Sequence, residues 1–402
     1  MKIVFLAPFG IRPKGTVIAR MLPLAVELQQ LGHEVVIIAP PYTNPEDSGR
    51  VETIDGVLLR NILLGPRNKV LAAPVLAYRM MQSARAETPD LIHLFKPKGY
   101  GGLALMLMLM LKRFGMTLPP LFVDTDDWEG SGGMNELHGY SSFEKRFYAY
   151  QEQWLTLRAR GVTVASRGLE EMTRGLGKSP ERILYLPNCV RETPRGDGAD
   201  RRRQLGITPE TPVVLLYTRF FEFSQVRLQR LFAAIARRVP QVRFLVVGKG
   251  RNGEEAQLLA AAEEGGFREN LLMAGWVDPG DLPGYLAVGD VAVYPFDDTL
   301  VNRCKCPAKA TELLMAGCPV VADRVGQLAE YIQPGLSGIL CEPGDQEAMA
   351  AETIALLHDA GRRRSLGAAG RTYLLANFAW RTYTGKLDRF YRALGALDGE
   401  LQ

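Results

Sequence analysis

The chain has 402 residues, too many for one ordinary hydrophobic core, so its length predicts two domains. Hydrophobic residues make up 47% and charged residues 23% of it, which is typical of globular proteins and excludes a disordered chain. A net charge of only +4 gives no reason to expect a nucleic-acid partner.

The cysteines and apolar runs indicate a cytoplasmic protein. Five cysteines, with no signal peptide before the first predicted strand, favour a reducing compartment. Cys304 and Cys306 lack the further ligands of a zinc site, so no metal is expected. Leu103–Leu111 is too short to span a membrane and suits a buried helix. With Lys112, Arg113 and a mildly basic N-terminal half, the alternative is peripheral contact with a membrane surface.

The N-terminal half begins with a parallel βαβ unit. Lys2–Ala7 is a continuous apolar run typical of a buried strand, followed by the Gly/Pro loop Pro8–Gly15. Thr16–Leu31 predicts an amphipathic helix, and Glu34–Ala39 predicts a second buried strand. Further strands are expected at Leu91–Phe95, Leu121–Asp124, Gly161–Ala165 and Ile183–Leu186.

A second α/β cycle begins near Pro212. Its predicted strands are Val213–Thr218, Val242–Val247, Asn270–Ala274, Val291–Tyr294 and Val320–Asp323, and its predicted helices include Leu228–Val239 and Glu254–Glu264. The charged, apolar-free segment 191–203 suggests a linker. We therefore predict domains at 1–190 and 204–375, two doubly wound sheets that bind ligands at the carboxyl ends of their strands. A helical tail, 376–402, follows them.

The segment Asn302–Glu330 carries the strongest functional signal. A polar loop with Lys305 and Lys309 leads into a helix containing Glu312, which Gly317 and Pro319 end. A helix start offers unpaired N–H groups to an anion. A carboxylate one turn inside can accept hydrogen bonds from ribose hydroxyls. The segment therefore predicts a nucleotide held by its diphosphate and its sugar.

The order of several motifs resembles the retaining glycosyltransferases of the GT-B fold, in particular the large family 4 group. They are LGHEVVIIAP, PDLIHLFKP, ERILYLPNCV, FLVVGKG, AGWVDPGDLPGYLAVGDVAVYPF, the segment from Cys304 to Glu330, and FAWRTYTGKLDRFYRAL. The resemblance implies a metal-independent, cofactor-free hexosyltransferase that uses a nucleotide sugar and a glycan or lipid-linked acceptor. It also implies a bacterial surface polysaccharide or glycolipid pathway, and a closing helix that packs back on the N-terminal domain.

The resemblance also assigns the donor site. Glu312 takes the place of the second glutamate of the family's segment, while Cys304 stands where the first would be. Arg219 takes the place of a phosphate-binding arginine, and Ser224 stands where a lysine is usual. We expect Lys305 and Lys309 to supply the missing cation, with Arg219 and Lys309 stabilising the leaving diphosphate. Further donor-binding candidates are Gly248, Val277, Gly326 and Glu330.

The N-terminal domain is expected to bind the acceptor. Its first loop, with Gly10, Lys14 and Gly15, resembles the family's Gly-rich loop. Asp124-Thr125-Asp126-Asp127 follows a predicted strand, and Asp126 takes the place of a histidine found in many relatives. One carboxylate of this cluster could hold a raised pKa and accept the acceptor hydroxyl's proton, or Asp127 could simply cap a turn. His93 is a further candidate for lining the cleft.

Three alternative functions compete with this interpretation. Gly248-x-Gly250-x-x-Gly253 matches the dinucleotide fingerprint, but no acidic residue ends the next strand, which argues against an NAD-dependent oxidoreductase. Epimerases and sugar phosphorylases share the scaffold, although phosphorylases need a much longer chain. A non-catalytic nucleotide-sugar binder or partner subunit is the third alternative, prompted by Cys304 and Ser224.

Overall fold

The computed structural model describes residues 1–12 and 15–396. The predicted acceptor residue Lys14 lies outside these described residues. The chain divides into two compact units, which are described separately. The first comprises Met1–Asn188, Arg303–Cys306 and the chain from Trp380 on; the second comprises Cys189–Asn302 and Pro307–Ala379.

The first unit contains an eight-stranded sheet. Its strands are β1 (Lys2–Leu6), β2 (Glu34–Ala39), β3 (Val51–Ile54), β4 (Val57–Asn61), β5 (Leu91–Phe95), β6 (Leu121–Thr125), β7 (Gly161–Val164) and β8 (Ile183–Tyr185). Their order is β3-β4-β2-β1-β5-β6-β7-β8, and all neighbours are parallel except β3 and β4. The chain proceeds outward from β1 on one side and from β5 on the other, so the topological switch point lies between these two strands.

Helices of the first unit connect these parallel strands. They are α1 (Leu22–Gln30), preceded by a π-helical turn at Val17–Met21, α2 (Lys69–Ala86), α3 (Gly99–Lys112), α4 (Ser142–Arg158) and α5 (Arg167–Gly175). The apolar run of α3 buries Ala104, Leu105 and Met108, as expected of a buried helix. A capping box between Ser141 and Glu144 fixes the start of α4.

The second unit contains a six-stranded, all-parallel sheet. Its strands are β9 (Val213–Tyr217), β10 (Arg243–Val247), β11 (Leu271–Gly275), β12 (Val291–Tyr294), β13 (Val320–Asp323) and β14 (Ile339–Cys341). The order is β11-β10-β9-β12-β13-β14, which is the dinucleotide-fold order 3-2-1-4-5-6. Its switch point lies between β9 and β12.

The remaining helices complete the fold. They are α6 (Gly198–Gln204), α7 (Gln225–Arg238), α8 (Glu254–Glu264), α9 (Leu282–Leu286), α10 (Leu300–Cys304), α11 (Ala308–Met315), α12 (Leu328–Tyr331), α13 (Gln346–His358), α14 (Ala360–Asn377) and α15 (Trp380–Ala396). In the second unit, Phe232 of α7 stacks on Phe244 of β10 at 4.1 Å in the core. The last helix, α15, belongs to the first unit.

Long apolar runs were predicted well, and less regular segments were not. The strands at Leu91–Phe95, Val291–Tyr294 and Val320–Asp323 have the predicted bounds. The hairpin of β3 and β4 was missed, as were α2 and α13. The segment predicted as a linker is partly helical, because Asp197 caps α6 by accepting the N–H of Asp200.

Candidate functional site

The carboxyl ends of β9 and β12 lie side by side at the switch point of the second sheet. Each ends in a tyrosine, Tyr217 and Tyr294. Burial raises the pKa of Tyr294 well above its ordinary value, and the nearby Glu222, Tyr217 and Glu312 raise it further. The Tyr294 phenol therefore stays protonated. In open α/β sheets, this position is the usual ligand site.

Glu312 and Lys309 lie in α11 and meet Tyr217. The Tyr217 hydroxyl donates a hydrogen bond to the Glu312 carboxylate, and burial together with this carboxylate raises the pKa of Tyr217. The Lys309 Nζ lies 4.4 Å from the centroid of the Tyr217 ring. One aromatic side chain thus orients a carboxylate and a cation from successive turns of the same helix.

Arg219 and Gly248 lie at the ends of the neighbouring strands β9 and β10. Arg219 is exposed, and it is followed by Phe220, which is buried with a left-handed φ of 68°. Gly248 has a φ of 120°, and a Cβ there would lie 1.9 Å from the Thr218 carbonyl oxygen. Only glycine fits, so this loop holds two strand ends close together. Gly248, the first of the dinucleotide-like glycines, therefore has a packing role in the structure.

Glu222 is a buried acid that the sequence analysis missed. Its side chain lines a small cavity with Tyr217, Thr218 and Tyr294. Its backbone carbonyl accepts hydrogen bonds from Asp297 N–H at 3.0 Å and from Asn302 Nδ2 at 2.7 Å. These bonds fix the acid beside the two tyrosines.

The other predicted donor residues occupy less central positions. Gly326 has a left-handed φ of 50° just after β13, consistent with a tight turn. Glu330 is half-buried in α12, where its carbonyl accepts a hydrogen bond from the Tyr373 hydroxyl at 3.2 Å. Val277 is half-buried and follows the edge strand β11. The roles of all three stay predictions.

In the first unit, Lys96 follows β5 directly and forms ion pairs with several acidic side chains. Its Nζ lies 2.6 Å from Asp127 Oδ2 and 2.8 Å from Asp126 Oδ1. Asp126 also accepts a hydrogen bond from Thr16 Oγ1 at 2.9 Å. Burial alone would raise the pKa of Asp127, but Lys96 and Lys305 outweigh it and lower that pKa. The carboxylate of this cluster with a raised pKa is instead Asp124, where burial outweighs the lowering effect of Arg20.

The prediction that Asp124 contacts the acceptor is wrong. Asp124 is fully buried, and its two oxygens accept hydrogen bonds from Arg20 Nε at 2.8 Å and Arg20 Nη2 at 2.6 Å. Thr163 Oγ1 donates a third hydrogen bond to it. Burial works to lower the pKa of Arg20, but Asp124 raises it, so the arginine stays charged. Asp124 holds α1's entry segment to the sheet instead.

The prediction that His93 lines a cleft is also wrong. His93 is fully buried inside β5, with Nδ1 at 2.6 Å from the Tyr391 hydroxyl and Nε2 at 3.2 Å from Thr163 Oγ1. Burial, together with the charge of Arg20, lowers its pKa to about 3. A neutral histidine at this position joins α15 to the sheet.

The glycines of the first loop differ in their surroundings. The space beside the Gly10 Cα is filled by Asn44, whose Oδ1 lies 1.7 Å from where a Cβ would be. The absence of a side chain at Gly10 therefore makes room for the side chain of Asn44. Gly15 is half-buried, and its carbonyl accepts the N–H of Ala19. Their acceptor roles stay predictions.

Cys304 is buried in the first unit. Its carbonyl accepts a hydrogen bond from Ser166 Oγ at 2.6 Å. Burial, then the charges of Glu152 and Asp127, raise the pKa of its thiol to about 12, so it is no nucleophile at neutral pH. Within 1–12 and 15–396, no group of three His, Cys, Asp or Glu residues is arranged to hold a metal ion.

Several site residues escaped the sequence analysis, and only some had a signal. Lys96 and Lys98 directly follow the strand β5, so the rule that chemistry collects at strand ends could have found them. Tyr217 and Tyr294 end predicted strands and could have been found in the same way. Arg20 lies inside an amphipathic segment, where nothing in the sequence separates a buried arginine from an exposed one.

Comparisons with known families cover both units. The family described as "Glycosyl transferase 4-like domain" matches residues 15–189, and "Glycosyl transferases group 1" matches residues 211–359.

Curated relatives match about half of this chain. A GDP-mannose-dependent alpha-(1-6)-phosphatidylinositol monomannoside mannosyltransferase of Mycolicibacterium smegmatis is 29% identical over 51% of this chain and 55% of its own length. A D-inositol 3-phosphate glycosyltransferase of Segniliparus rotundus is 30% identical over 49% of this chain and 43% of its own. The chain therefore spans only about half the length of these relatives.

Solved structures agree over the full length. Sucrose-phosphate synthase from Thermosynechococcus elongatus superposes with a TM-score of 0.76 at 21% identity, covering 99% of this chain and 100% of that one. Anabaena HepE in complex with UDP and glucose gives a TM-score of 0.74 at 20% identity, covering 98% and 100%. These likenesses confirm the predicted GT-B fold class. The two family matches show that residues 15–189 and 211–359 belong to the 4-like and group 1 glycosyltransferase families, one in each unit.

Proposed function

We propose that the protein moves a hexose from a nucleoside diphosphate sugar to a hydroxyl group of a glycan or glycolipid, with retention at the anomeric carbon and without a metal ion or cofactor. The second unit holds the donor, and the first unit holds the acceptor. Relatives named as GDP-mannose-dependent mannosyltransferases, and a UDP complex of a structural neighbour, support a nucleotide-sugar donor.

One observation carries this proposal: Tyr217, Lys309 and Glu312 converge at the switch point of the second sheet. Glu312 accepts hydrogen bonds from the ribose hydroxyls. Lys309, at the start of α11, and Arg219 bind the diphosphate, whose charge the unpaired N–H groups of the helix start also favour.

The reaction breaks the bond between the anomeric carbon and the diphosphate oxygen, and forms one from that carbon to the acceptor oxygen. Arg219 and Lys309 stabilise the charge on the leaving diphosphate, in place of a metal ion. Attack from the face that the diphosphate leaves gives retention. Asp126 receives the acceptor hydroxyl's proton.

We also propose a cytoplasmic location with peripheral membrane contact through the first unit. Val70 and Leu71 at the start of α2, and Phe143 at the start of α4, are exposed beside Arg67 and Lys69. This combination suits anionic lipid headgroups. Over 1–12 and 15–396, none of the helices has the length and apolar character needed to cross a bilayer. Sedimentation with anionic, but not zwitterionic, vesicles tests the contact.

The donor is identified by a thermal-shift screen over UDP-, GDP- and ADP-linked sugars. A ligand at 100 times its Kd stabilises the folded state by about 2.7 kcal/mol. Transfer or slow hydrolysis of the stabilising compound, unaffected by EDTA, then tests for the enzyme.

Variants test the site assignment. We expect Glu312→Ala to weaken donor binding by about 10- to 100-fold, because each charge-assisted hydrogen bond contributes roughly 1.5–3 kcal/mol. Arg219→Ala should lower kcat by about 100-fold or more, since it acts on the leaving group. The exposed residues Glu264 and Arg238 provide matched controls, E264A and R238A, which should change neither quantity. Unchanged kinetics of E312A and R219A would refute the assignment.

A nucleotide-sugar binder without catalysis is the second candidate. It is favoured by Cys304, whose buried thiol stands where the family has an acid, and by Ser224. Binding in the thermal-shift screen, with neither transfer nor hydrolysis of the bound sugar, would support the binder over the enzyme.

A further inference from the structure

Lys96 has an unusual backbone for a lysine. It lies at the end of β5, beside β1 at the switch point of the first sheet, and has a left-handed φ of 56°. Its N–H donates to the Asp124 carbonyl at 2.9 Å, and its own carbonyl accepts the N–H of Lys98 at 2.7 Å. A residue with a Cβ keeps such a conformation only where its surroundings enforce it, and such positions cluster at functional sites.

The conformation aims the ammonium group into a set of acids. Besides Asp126 and Asp127, Glu129 Oε1 lies 3.7 Å from Nζ. The Lys96 side chain is 10% exposed, so these interactions are poorly screened by water. Burial works to lower the pKa of Lys96, but Asp126, Asp127 and Glu129 together raise it well above its ordinary value. Lys96 is therefore a permanent cation.

Charged groups from four parts of the first unit surround this set. Lys98 Nζ lies 2.7 Å from Glu129 Oε2. From α4, Glu152 accepts the N–H of Glu129, and burial raises the pKa of Glu152 well above its ordinary value. Lys305 acts on Asp127, while the Arg20–Asp124 pair lies behind the site. Asp126 and Asp127 both lie within hydrogen-bonding distance of the Lys96 Nζ.

We propose that Lys96 is a positioning residue, which holds the Asp126 and Asp127 carboxylates aligned so that they can receive the acceptor hydroxyl. This inference rests on the proposed function. Lys96 itself transfers no proton. Without its charge, the two neighbouring carboxylates would repel each other, and protonation of one would become favourable at higher pH.

The test compares kcat/KM against pH for the wild type and three variants. Lys96→Met removes the charge and keeps the length. Lys96→Gly removes the charge and also relieves the backbone strain. Lys96→Arg keeps the charge. Lys386→Met, at an exposed lysine of α15, is the matched control and should behave as wild type.

We expect K96M and K96G to lose about 100-fold in kcat/KM, the cost of a misplaced reacting group. We also expect the acid limb of the profile, the pH range in which kcat/KM falls on acidification, to move up by about 1 pH unit or more. The reason is that the aspartates are then protonated at higher pH. K96R should keep the wild-type limb. A merely structural lysine would change the height of the profile without moving the limb, so an unmoved limb in K96M and K96G overturns the proposal.

Two further measurements keep the test decisive. If K96M does not fold, K96M/D127N removes one charge of each sign, and its limb is compared with that of D127N alone; equal limbs overturn the proposal. If the wild type neither transfers nor hydrolyses any nucleotide sugar, the proposed function fails instead. Titration of the aspartate carboxyls by carbon-13 NMR then still reports whether removing Lys96 raises their pKa values.

Discussion

At the residue scale, burial separates side chains that hold the fold from those available to a ligand. Asp124 and Asp126 are two positions apart at the same strand end, and both were expected to face the acceptor. The structure buries Asp124 completely against Arg20, while the Asp126 side chain remains 12% exposed. The end of the strand explains the difference, because Asp124 lies within β6 whereas Asp126 follows its last residue, Thr125.

We expect Asp124→Asn to destabilise the protein by about 3–5 kcal/mol, because it leaves Arg20 buried without its countercharge. Urea unfolding measures this loss. Glu46→Gln, at an exposed acid of the same unit, is the control and should change stability by less than about 0.5 kcal/mol. A D124N protein as stable as wild type, but with impaired acceptor binding, would restore the original interpretation of Asp124.

His93 predicts how stability depends on pH. Its pKa is lowered to about 3 by burial, whereas an unfolded histidine titrates near its ordinary value of 6.5. Between about pH 3 and pH 6.5 the His93 imidazole is protonated in the unfolded chain but neutral in the folded protein. This residue therefore removes up to about 1.4 kcal/mol of stability per pH unit as the pH falls toward 3.

Denaturation midpoints between pH 7 and pH 4 test this effect. We expect His93→Gln to be less stable than wild type at pH 7 but to lose less stability on acidification. His358→Gln, at an exposed histidine, should keep the wild-type slope. Equal slopes for H93Q and wild type would contradict the effect.

At the element scale, α15 shows why a helix can be predicted while its partner cannot. Trp380, Tyr383, Leu387, Tyr391 and Leu394 recur at helical spacing, and all are buried in the structure. This periodicity announces a helix with one apolar face. No local sequence pattern predicts that this face covers a sheet whose strands lie about two hundred residues or more earlier in the chain. Only the resemblance to a family predicted where the helix packs.

We expect Leu387→Ala to cost about 2–5 kcal/mol, since Leu387 is fully buried and its loss leaves a cavity beneath α15. Arg381→Ala, on the exposed face of the same helix, should cost little. Thermal unfolding distinguishes the two. If both variants lost the same stability, α15 would owe its place to something other than its apolar face.

The donor-site segment was predicted as an element more fully than any other. The helix α11, its end near Gly317 and the following strand were all expected, because a polar loop, a short apolar period and a Gly/Pro pair mark them. Tyr217, which orients Lys309 and Glu312, could not be assigned in this way. It lies almost a hundred residues earlier, and its meeting with α11 follows from the strand order of the sheet.

At the scale of the whole molecule, the fold class followed from the succession of buried strands and amphipathic helices, and the structure confirms it. The sheet orders followed only in part, since the edge hairpin of β3 and β4 was overlooked. Its turn, Asp55-Gly56 with φ of 50° and 82°, is a hairpin signal that the sequence does contain. The first unit is assembled from three separate stretches of chain, with Arg303–Cys306 and α15 contributed from beyond the second unit's first residues. A prediction that assigns each domain to one continuous stretch of chain cannot find this arrangement.

That discontinuity has a consequence for biosynthesis. The second unit ends at Ala379, so the ribosome has made all of it before it reaches α15. Tyr391, the partner of the buried His93, follows only then. The first unit leaves the exit tunnel before the second unit. Its sheet nevertheless stays without α15 until the second unit has been translated in full. Released chains truncated after Ala379, which contain the whole second unit but lack α15, should accordingly bind chaperones through the first unit.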